Sequence, residues 1–102
     1  IVAIQGYLDR NYGRSISLDD LSRTFSISKY HMSREFKRYV GKSPNDYLID
    51  IRLERAKDLL VDSRRSIAEI GQLVGIPNTN HFLYLFKKRE GMTPSAFRRQ
   101  RI

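Results

Sequence analysis

The chain has 102 residues, of which 40% are apolar and 29% charged, and this composition is typical of a folded globular domain rather than a disordered segment. It contains no cysteine, which excludes disulfides, thiolate metal ligands and cysteine nucleophiles and suits a cytoplasmic protein. No apolar run is long enough to cross a membrane. Because the first residue is Ile1 and not Met, we expect the sequence to be a fragment of a longer protein.

The charge is strongly basic and unevenly distributed. The 19 Lys and Arg residues exceed the 11 Asp and Glu residues by 8, which indicates a polyanionic partner, either nucleic acid or an anionic membrane surface. Residues 29–42 hold five cations with Glu35 as their only acid, and residues 87–101 hold six with only Glu90. Residues 46–62 instead hold five acids and three cations, which favours a solvated face with local ion pairs, turned away from such a partner.

Apolar residues recur at helical spacing almost throughout, and no run alternates with the period of a strand. Caps and stops then delimit the helices. The first helix should end near residues 11–13, the second should run from the cap Ser17 to about Phe25, and the third from the cap Ser28 to Gly41.

The longest predicted helix spans residues 44–62 and starts at Pro44, where the missing N–H of proline costs nothing. A fifth helix should follow the cap Ser66 and end at Gly75, a sixth should cover residues 79–90, and a short seventh should open at Pro94. The sequence therefore predicts an all-α fold of seven helices.

An internal repeat organises these helices. The segment SLDDL at 17–21 matches SIAEI at 66–70, and Phe36, Gly41 and Pro44 match Phe86, Gly91 and Pro94. The caps, stops and apolar positions all recur, so we expect one supersecondary unit to occur twice. The expected division is a first unit at 1–43, a linker helix at 44–62 and a second unit at 63–102.

Each unit has the pattern of a helix-turn-helix, which needs a small residue where its two helices touch, a tight turn and an apolar anchor. The residues that supply them are Ser22, Ser26 and Ile27 in the first unit, and Gly71, Gly75 and Ile76 in the second. An ordinary helical bundle would explain the apolar periodicity but neither the small residues nor the clustered cations. We therefore expect the third and sixth helices, the recognition helices, to enter adjacent major-groove segments of double-stranded DNA.

The most specific motifs are IAEI at 67–70, VGI at 74–76, FKK at 86–88, Gly91, TPS at 93–95 and FR at 97–98, with YL at 47–48, RL at 52–53, AK at 56–57 and LL at 59–60 in the linker helix. With these motifs the sequence resembles the AraC/XylS family of transcriptional regulators over essentially all of its length. The resemblance implies two helix-turn-helix subdomains, double-stranded DNA as partner, and control of transcription, more often activation than repression. It also implies a sensing or receiver domain outside these residues, and we expect RNA polymerase as a further partner.

The residues expected to read base edges are Lys29, Tyr30, Ser33, Arg34, Thr79, Asn80 and Tyr84. Those expected at phosphates are Lys37, Arg38, Asn78, His81, Lys87 and Lys88. Arg34 is the strongest candidate, because a guanidinium can bond guanine in bidentate fashion. Many relatives carry Ser-Arg where this chain has Leu83 and Tyr84, so we expect the first unit to dominate specificity.

Other classes of function fit the sequence less well. No nucleophile set, phosphate-cradling glycine loop or metal motif points to an enzyme or a cofactor, and repeated surface carboxylates alone do not make a catalytic array. His31 and His81 cannot fill a tetrahedral metal site without thiols or clustered acids. A basic RNA-binding module usually displays stacking aromatics, whereas Phe25, Phe36 and Phe82 fall on expected core positions.

Overall fold

The computed structural model describes residues 1–100. Arg101 and Ile102 lie outside the described residues. Both belong to the predicted second unit, and Arg101 is one of the cations of the basic segment 87–101. Residues 1–100 form seven α-helices and no strand, and this confirms the predicted fold class. The helices are α1 (Val2–Asn11), α2 (Leu18–Phe25), α3 (Lys29–Val40), α4 (Pro44–Asp62), α5 (Ile67–Leu73), α6 (Thr79–Glu90) and α7 (Pro94–Gln100).

The chain divides into two compact units, with the boundary between Ile51 and Arg52, inside α4. Unit 1 ends at Ile51 and unit 2 begins at Arg52. Helix α4 thus contributes residues to both units, and Leu48 near its start packs in the core of unit 1. The three-part division with a separate linker helix stays a prediction.

The core of unit 1 is formed by one apolar side of each of its helices. Its buried members are Ile4, Leu8, Leu21, Met32, Phe36 and Leu48. The ring of Phe25 meets Tyr7 edge-on at 5.7 Å between centroids, so Phe25 packs against this core while remaining partly exposed. The Tyr47 hydroxyl donates a 2.7 Å hydrogen bond to Asp9 Oδ1 and accepts one from Gln5 Nε2, which ties α4 to α1.

The core of unit 2 repeats this arrangement with different side chains. Its fully buried residues include Val74, Phe82 and Phe86. The Phe86 ring lies between Phe82 and Phe97, with centroid distances of 6.0 and 5.7 Å. Leu53, on the part of α4 that belongs to unit 2, is also fully buried.

Side chains satisfy the free N–H groups at the helix starts, as predicted for Ser17, Ser28 and Ser66. Ser17 and Ser66 form reciprocal capping boxes with Asp20 and Glu69, respectively. The backbone N–H and the hydroxyl of Ser17 are the main causes that lower the pKa of Asp20 below its ordinary value. These two boxes show that the repeat seen in the sequence is also a repeat of local structure.

The start of α6 is capped by an asparagine side chain. The side chain of Asn78 accepts a 3.0 Å hydrogen bond from the N–H of His81, so Asn78 is the cap. Thr79 is the first residue of the helix, which agrees with the predicted bounds of 79–90.

None of the helices within residues 1–100 is both long and apolar enough to cross a lipid bilayer.

Candidate nucleic-acid interface

The turn between the two helices of each unit has the same hydrogen bond. In unit 1 the N–H of Ile27 donates to the carbonyl of Ser22 at 3.1 Å, and in unit 2 the N–H of Ile76 donates to that of Gly71 at 2.8 Å. The chain reverses through a left-handed residue, Ser26 with φ 53° and Gly75 with φ 92°. The two turns therefore share this hydrogen bond and a left-handed residue, but α6 begins one residue later relative to its turn than α3 does.

The small residue before each turn is required for a different local reason. In unit 1 the Ser22 hydroxyl donates a 2.6 Å hydrogen bond to the carbonyl of Ile27. In unit 2 a Cβ added to Gly71 would lie 2.9 Å from the Ile76 carbonyl oxygen and 3.3 Å from Cδ2 of Phe82. The predicted close approach of the two helices is thus seen at Gly71 in unit 2, whereas in unit 1 the small residue forms a hydrogen bond with the turn.

Helices α3 and α6 bury and expose equivalent positions along their lengths. Each has 12 residues and buries its fourth and eighth, which are Met32 and Phe36 in α3 and Phe82 and Phe86 in α6. Along both helices the order of buried, half-buried and exposed positions is identical. Each unit therefore packs one side of its recognition helix inward and leaves the other side open to a partner.

The predicted base-reading residues of α3 lie together on that open side. Lys29, Tyr30 and Arg34 are exposed, and Ser33 is half-buried at the edge of the face. In α6 the corresponding candidates Thr79, Asn80 and Tyr84 are all exposed, while Leu83 is half-buried. The structure brings each set together on its own helix.

The predicted phosphate-binding residues are also exposed: Lys37, Arg38, Asn78, His81, Lys87 and Lys88. Lys37 and Lys87 occupy equivalent positions of the repeat. Within the described part of the chain, neither lysine takes part in an ion pair, so their charges are available to an anion.

Two other cations of α3 have acidic partners within the unit. Lys29 Nζ is 2.9 Å from Asp19 Oδ1 of α2, and a guanidinium nitrogen of Arg38 is 3.8 Å from Glu35. The sequence alone does not predict the contact with Asp19, because no spacing rule relates residues of two different helices across a turn. A phosphate or base that binds Lys29 must compete with this carboxylate.

Two exposed rings lie beneath cations one helical turn further on. The guanidinium carbon of Arg34 is 5.3 Å from the ring centroid of Tyr30, and Lys88 Nζ is 5.8 Å from that of Tyr84. Tyr84 occupies the position in α6 that Arg34 occupies in α3. The two recognition helices therefore present different chemistry at the same place.

One arginine of the second basic segment has a structural contact instead. Arg98 Nε donates a 2.9 Å hydrogen bond to the carbonyl of Leu60, and its Nη2 donates one of 2.7 Å to that of Arg65. The side chain thus binds carbonyls at and beyond the C-terminal end of α4, where backbone acceptors lack helical partners. Arg98 belongs to the fold of unit 2 rather than to the exposed cationic face.

Glu54 and Asp58 of α4 form local ion pairs, as expected. Lys57 Nζ lies 3.1 Å from Glu54 and 3.3 Å from Glu90, and Arg55 lies 3.8 Å from Asp58. The hydrogen bond from Lys57 to Glu54 raises the pKa of Lys57, and Glu90 adds to this effect. Within residues 1–100 no group of three or more His, Cys, Asp or Glu side chains is placed to hold a metal ion.

A tight turn between a short helix and a longer, exposed, cationic helix, occurring twice, defines a tandem helix-turn-helix DNA-binding domain. Comparison with known families agrees, since the model described as "Helix-turn-helix domain" matches residues 21–100. A structure described as a transcriptional regulator with an AraC-type DNA-binding domain, from Chromobacterium violaceum, has a TM-score of 0.87 and 30% identity, with 98% of this chain and 89% of that one covered. The chain belongs to the AraC/XylS family, as its motifs indicated.

Two further relatives show what kinds of protein carry such a domain. The chain is 37% identical over 95 residues to the bifunctional transcriptional activator/DNA repair enzyme AdaA of Bacillus subtilis, covering 93% of this chain and 45% of AdaA. It is 33% identical to the C-terminal domain of the two-component response regulator yesN from Fusobacterium nucleatum, with a TM-score of 0.91 and 95% of each chain covered. The chain spans 31% to 55% of the length of AdaA and the next two curated relatives.

Proposed function

We propose that this chain is the sequence-specific double-stranded DNA-binding part of a bacterial transcription regulator, with α3 and α6 as recognition helices in adjacent major-groove segments. The observation that carries the proposal is the identical burial order of α3 and α6, which leaves a polar, cation-bearing face open on each. A major groove of about 12 Å admits one helix of this kind. A duplicated unit is suited to reading two segments of one site.

In unit 1, Arg34 is the residue proposed to read a base. Its guanidinium is exposed and, within residues 1–100, takes part in no ion pair, so its donors can form a bidentate contact with O6 and N7 of guanine. Lys29, Tyr30 and Ser33 line the same face of α3.

Unit 2 is proposed to contribute more affinity than base discrimination. Tyr84 stands where unit 1 has Arg34, and Thr79 and Asn80 are its other candidates for base edges. The N–H groups at the start of α6, next to Asn78 and His81, are suited to a phosphate. Many helix-turn-helix contacts are to phosphate and sugar, and these fix register without reading sequence.

The phosphate contacts are assigned to side chains flanking the base-reading positions. These are Lys37, Arg38, Asn78, His81, Lys87 and Lys88, all of which are exposed. Their role is supported by position and charge, because Lys37 and Lys87 follow the base-reading turns on both helices and have no acidic partner among the described residues.

We further propose that the full-length protein is a cytoplasmic transcription activator that acts on RNA polymerase and carries a sensing or receiver domain. The similarity to AdaA and to the C-terminal domain of a response regulator supports this proposal, as does the partial coverage of longer relatives. The proposed activity of this chain is binding alone, without a catalytic step.

Selection of bound sites from a random pool of duplexes tests the proposal. We expect one enriched motif with two segments. Arg34→Ala should relax the preference at one base pair of the first segment and weaken the binding free energy by about 1–3 kcal/mol. Arg55→Ala is the matched control, since it removes the same charge from an exposed residue of α4, which is proposed to face away from DNA. Preference for structured RNA over duplex DNA, or an unchanged motif with Arg34→Ala, would contradict the proposal.

A further inference from the structure

The contact between Arg34 and Tyr30 gives the two side chains different roles. Tyr30 is 75% exposed, so its ring lies on the open face of α3 and not in the core. The guanidinium of Arg34 lies over this ring, 5.3 Å from its centroid. We propose that Tyr30 is a positioning residue, whose ring holds Arg34 in the orientation that reads a base, rather than a base-reading residue. This inference rests on the proposed function of α3.

Stacking is compatible with base reading, because it uses a different part of the guanidinium. The five N–H donors of arginine point outward in the plane of the group, whereas a ring beneath it contacts only one face. Within residues 1–100 no carboxylate pairs with Arg34. Its donors therefore remain available while its side chain is held.

The contrast with Lys29 shows why a ring suits this task. Lys29 is held by Asp19 at 2.9 Å, and a carboxylate occupies the same donors that a DNA acceptor would use. Tyr30 is uncharged and leaves the donors of Arg34 unpaired. Of the two cations, Arg34 is the one held without such competition.

Holding the side chain before binding lowers the entropy that binding must remove. An arginine side chain has several rotatable bonds, and immobilising it at an interface opposes association. A ring one turn earlier on the same helix restricts the guanidinium already in the free protein. The restriction favours a bidentate contact, which requires a defined orientation, more than a phosphate contact, which tolerates many.

Unit 2 provides an internal comparison. The equivalents of Tyr30 and Arg34 are Asn80 and Tyr84, so the same pairing is absent from α6. The ring of Tyr84 instead lies beneath Lys88, 5.8 Å from Nζ, and Lys88 is a proposed phosphate contact. The ring-held cation at the base-reading position is thus a property of unit 1, which agrees with its proposed dominance in specificity.

The test compares Tyr30→Phe, Tyr30→Leu, Arg34→Ala and the Tyr30→Leu/Arg34→Ala double variant on the selected duplex. A second duplex carries a substitution at the base pair that Arg34→Ala identifies. Tyr30→Phe, which keeps the ring, should keep the affinity ratio between the two duplexes. Tyr30→Leu should lower this ratio about two- to fivefold, the size of an exposed cation–ring contact. The double variant should discriminate between the two duplexes at least as well as Arg34→Ala alone.

Tyr39→Leu is the matched control, because Tyr39 is equally exposed on α3 and has no cation over its ring in the described structure. It should leave the affinity ratio unchanged, and urea unfolding should show that all variants are folded.

Three outcomes would overturn the inference while leaving Arg34 as a base reader. They are a normal affinity ratio in Tyr30→Leu, an equal loss in Tyr30→Phe, which would assign the role to the hydroxyl, and a new preference at another base pair, which would make Tyr30 a reader. An unchanged site in Arg34→Ala alone would instead contradict the proposed function itself.

Discussion

Arg98 Nε donates a 2.9 Å hydrogen bond to the carbonyl of Leu60, which joins α7 to the last turn of α4 within unit 2. A further hydrogen bond from the same guanidinium reaches the carbonyl of Arg65 at 2.7 Å. These carbonyls lie at or beyond the end of a helix, where no helical N–H can satisfy them. A charged side chain remote in sequence therefore fixes the segment that leads into the helix-turn-helix of unit 2.

Replacing Arg98 by Ala should destabilise unit 2. Hydrogen bonds from a charged group contribute about 1.5–3 kcal/mol to stability, and this side chain makes more than one. We therefore expect the free energy of unfolding to fall by about 2 kcal/mol. Urea unfolding measures the difference. Arg99→Ala is the matched control, because Arg99 is the exposed neighbour on α7, and it should change stability by less than about 0.5 kcal/mol. Equal effects of the two variants would show that the hydrogen bonds of Arg98 contribute nothing.

Gly71→Ala should destabilise the protein although alanine favours helices. An added Cβ would meet the backbone oxygen of Ile76 at 2.9 Å, and a backbone atom in a tight turn cannot move aside cheaply. Overpacking of this kind costs about 1–3 kcal/mol, which exceeds the helix-propensity gain of about 1 kcal/mol. Thermal unfolding should show a lower midpoint, and an unchanged or raised midpoint would contradict the predicted close approach.

Gly6→Ala, in contrast to Gly71→Ala, should stabilise the protein. The nearest atom to an added Cβ is the terminal nitrogen of Arg10, at 3.1 Å, and the end of a flexible side chain can shift. Gly6 lies inside α1, so alanine should stabilise the protein by about 0.5–1 kcal/mol. Unfolding measured alongside Gly71→Ala makes each glycine the control for the other. A loss of stability would mean that the Arg10 contact cannot be displaced.

The decrease in the free energy of unfolding at acidic pH should depend on Asp20. Hydrogen bonds from Ser17 lower the pKa of Asp20 below 3.8 in the folded protein, so the ionised carboxylate favours folding. This contribution is present above the unfolded pKa and is lost as the pH falls through the lower, folded pKa. Asp20→Asn should therefore be less stable than the original protein at pH 6, and the difference should shrink below about pH 4. Urea unfolding at several pH values tests this, and a pH-independent difference would contradict it.

Most of the fold follows from local rules and was predictable. The capping residues Ser17, Ser28 and Ser66 act on N–H groups three residues ahead, and such short-range chemistry is visible in the sequence. The burial of Met32 and Phe36 likewise follows from helical periodicity. These features are decided within one or two helical turns.

What the sequence did not predict depends on residues that meet only after folding. The partners of Arg98 lie 33 to 38 positions earlier in the chain, and no pattern relates them in advance. The stack of Arg34 on Tyr30 is different, because residues four apart on a helix are neighbours and the pair was within reach of the sequence. The exposed faces could thus be located from sequence, whereas the partners of their charges required the structure.

Lys37→Ala should weaken binding to all duplexes alike and flatten its salt dependence. In the described part of the chain this lysine is exposed and has no acidic partner, so a phosphate contact would release counterions in full. The slope of log K against log salt should become shallower by about 0.9 for one lost phosphate contact. Lys87→Ala, at the equivalent position of α6, should behave in the same way. Arg55→Ala again serves as the control for a lost charge and should keep the original slope. If Lys37→Ala changes which base pairs are selected while the slope stays constant, the lysine contacts a base and its assignment to phosphate is wrong.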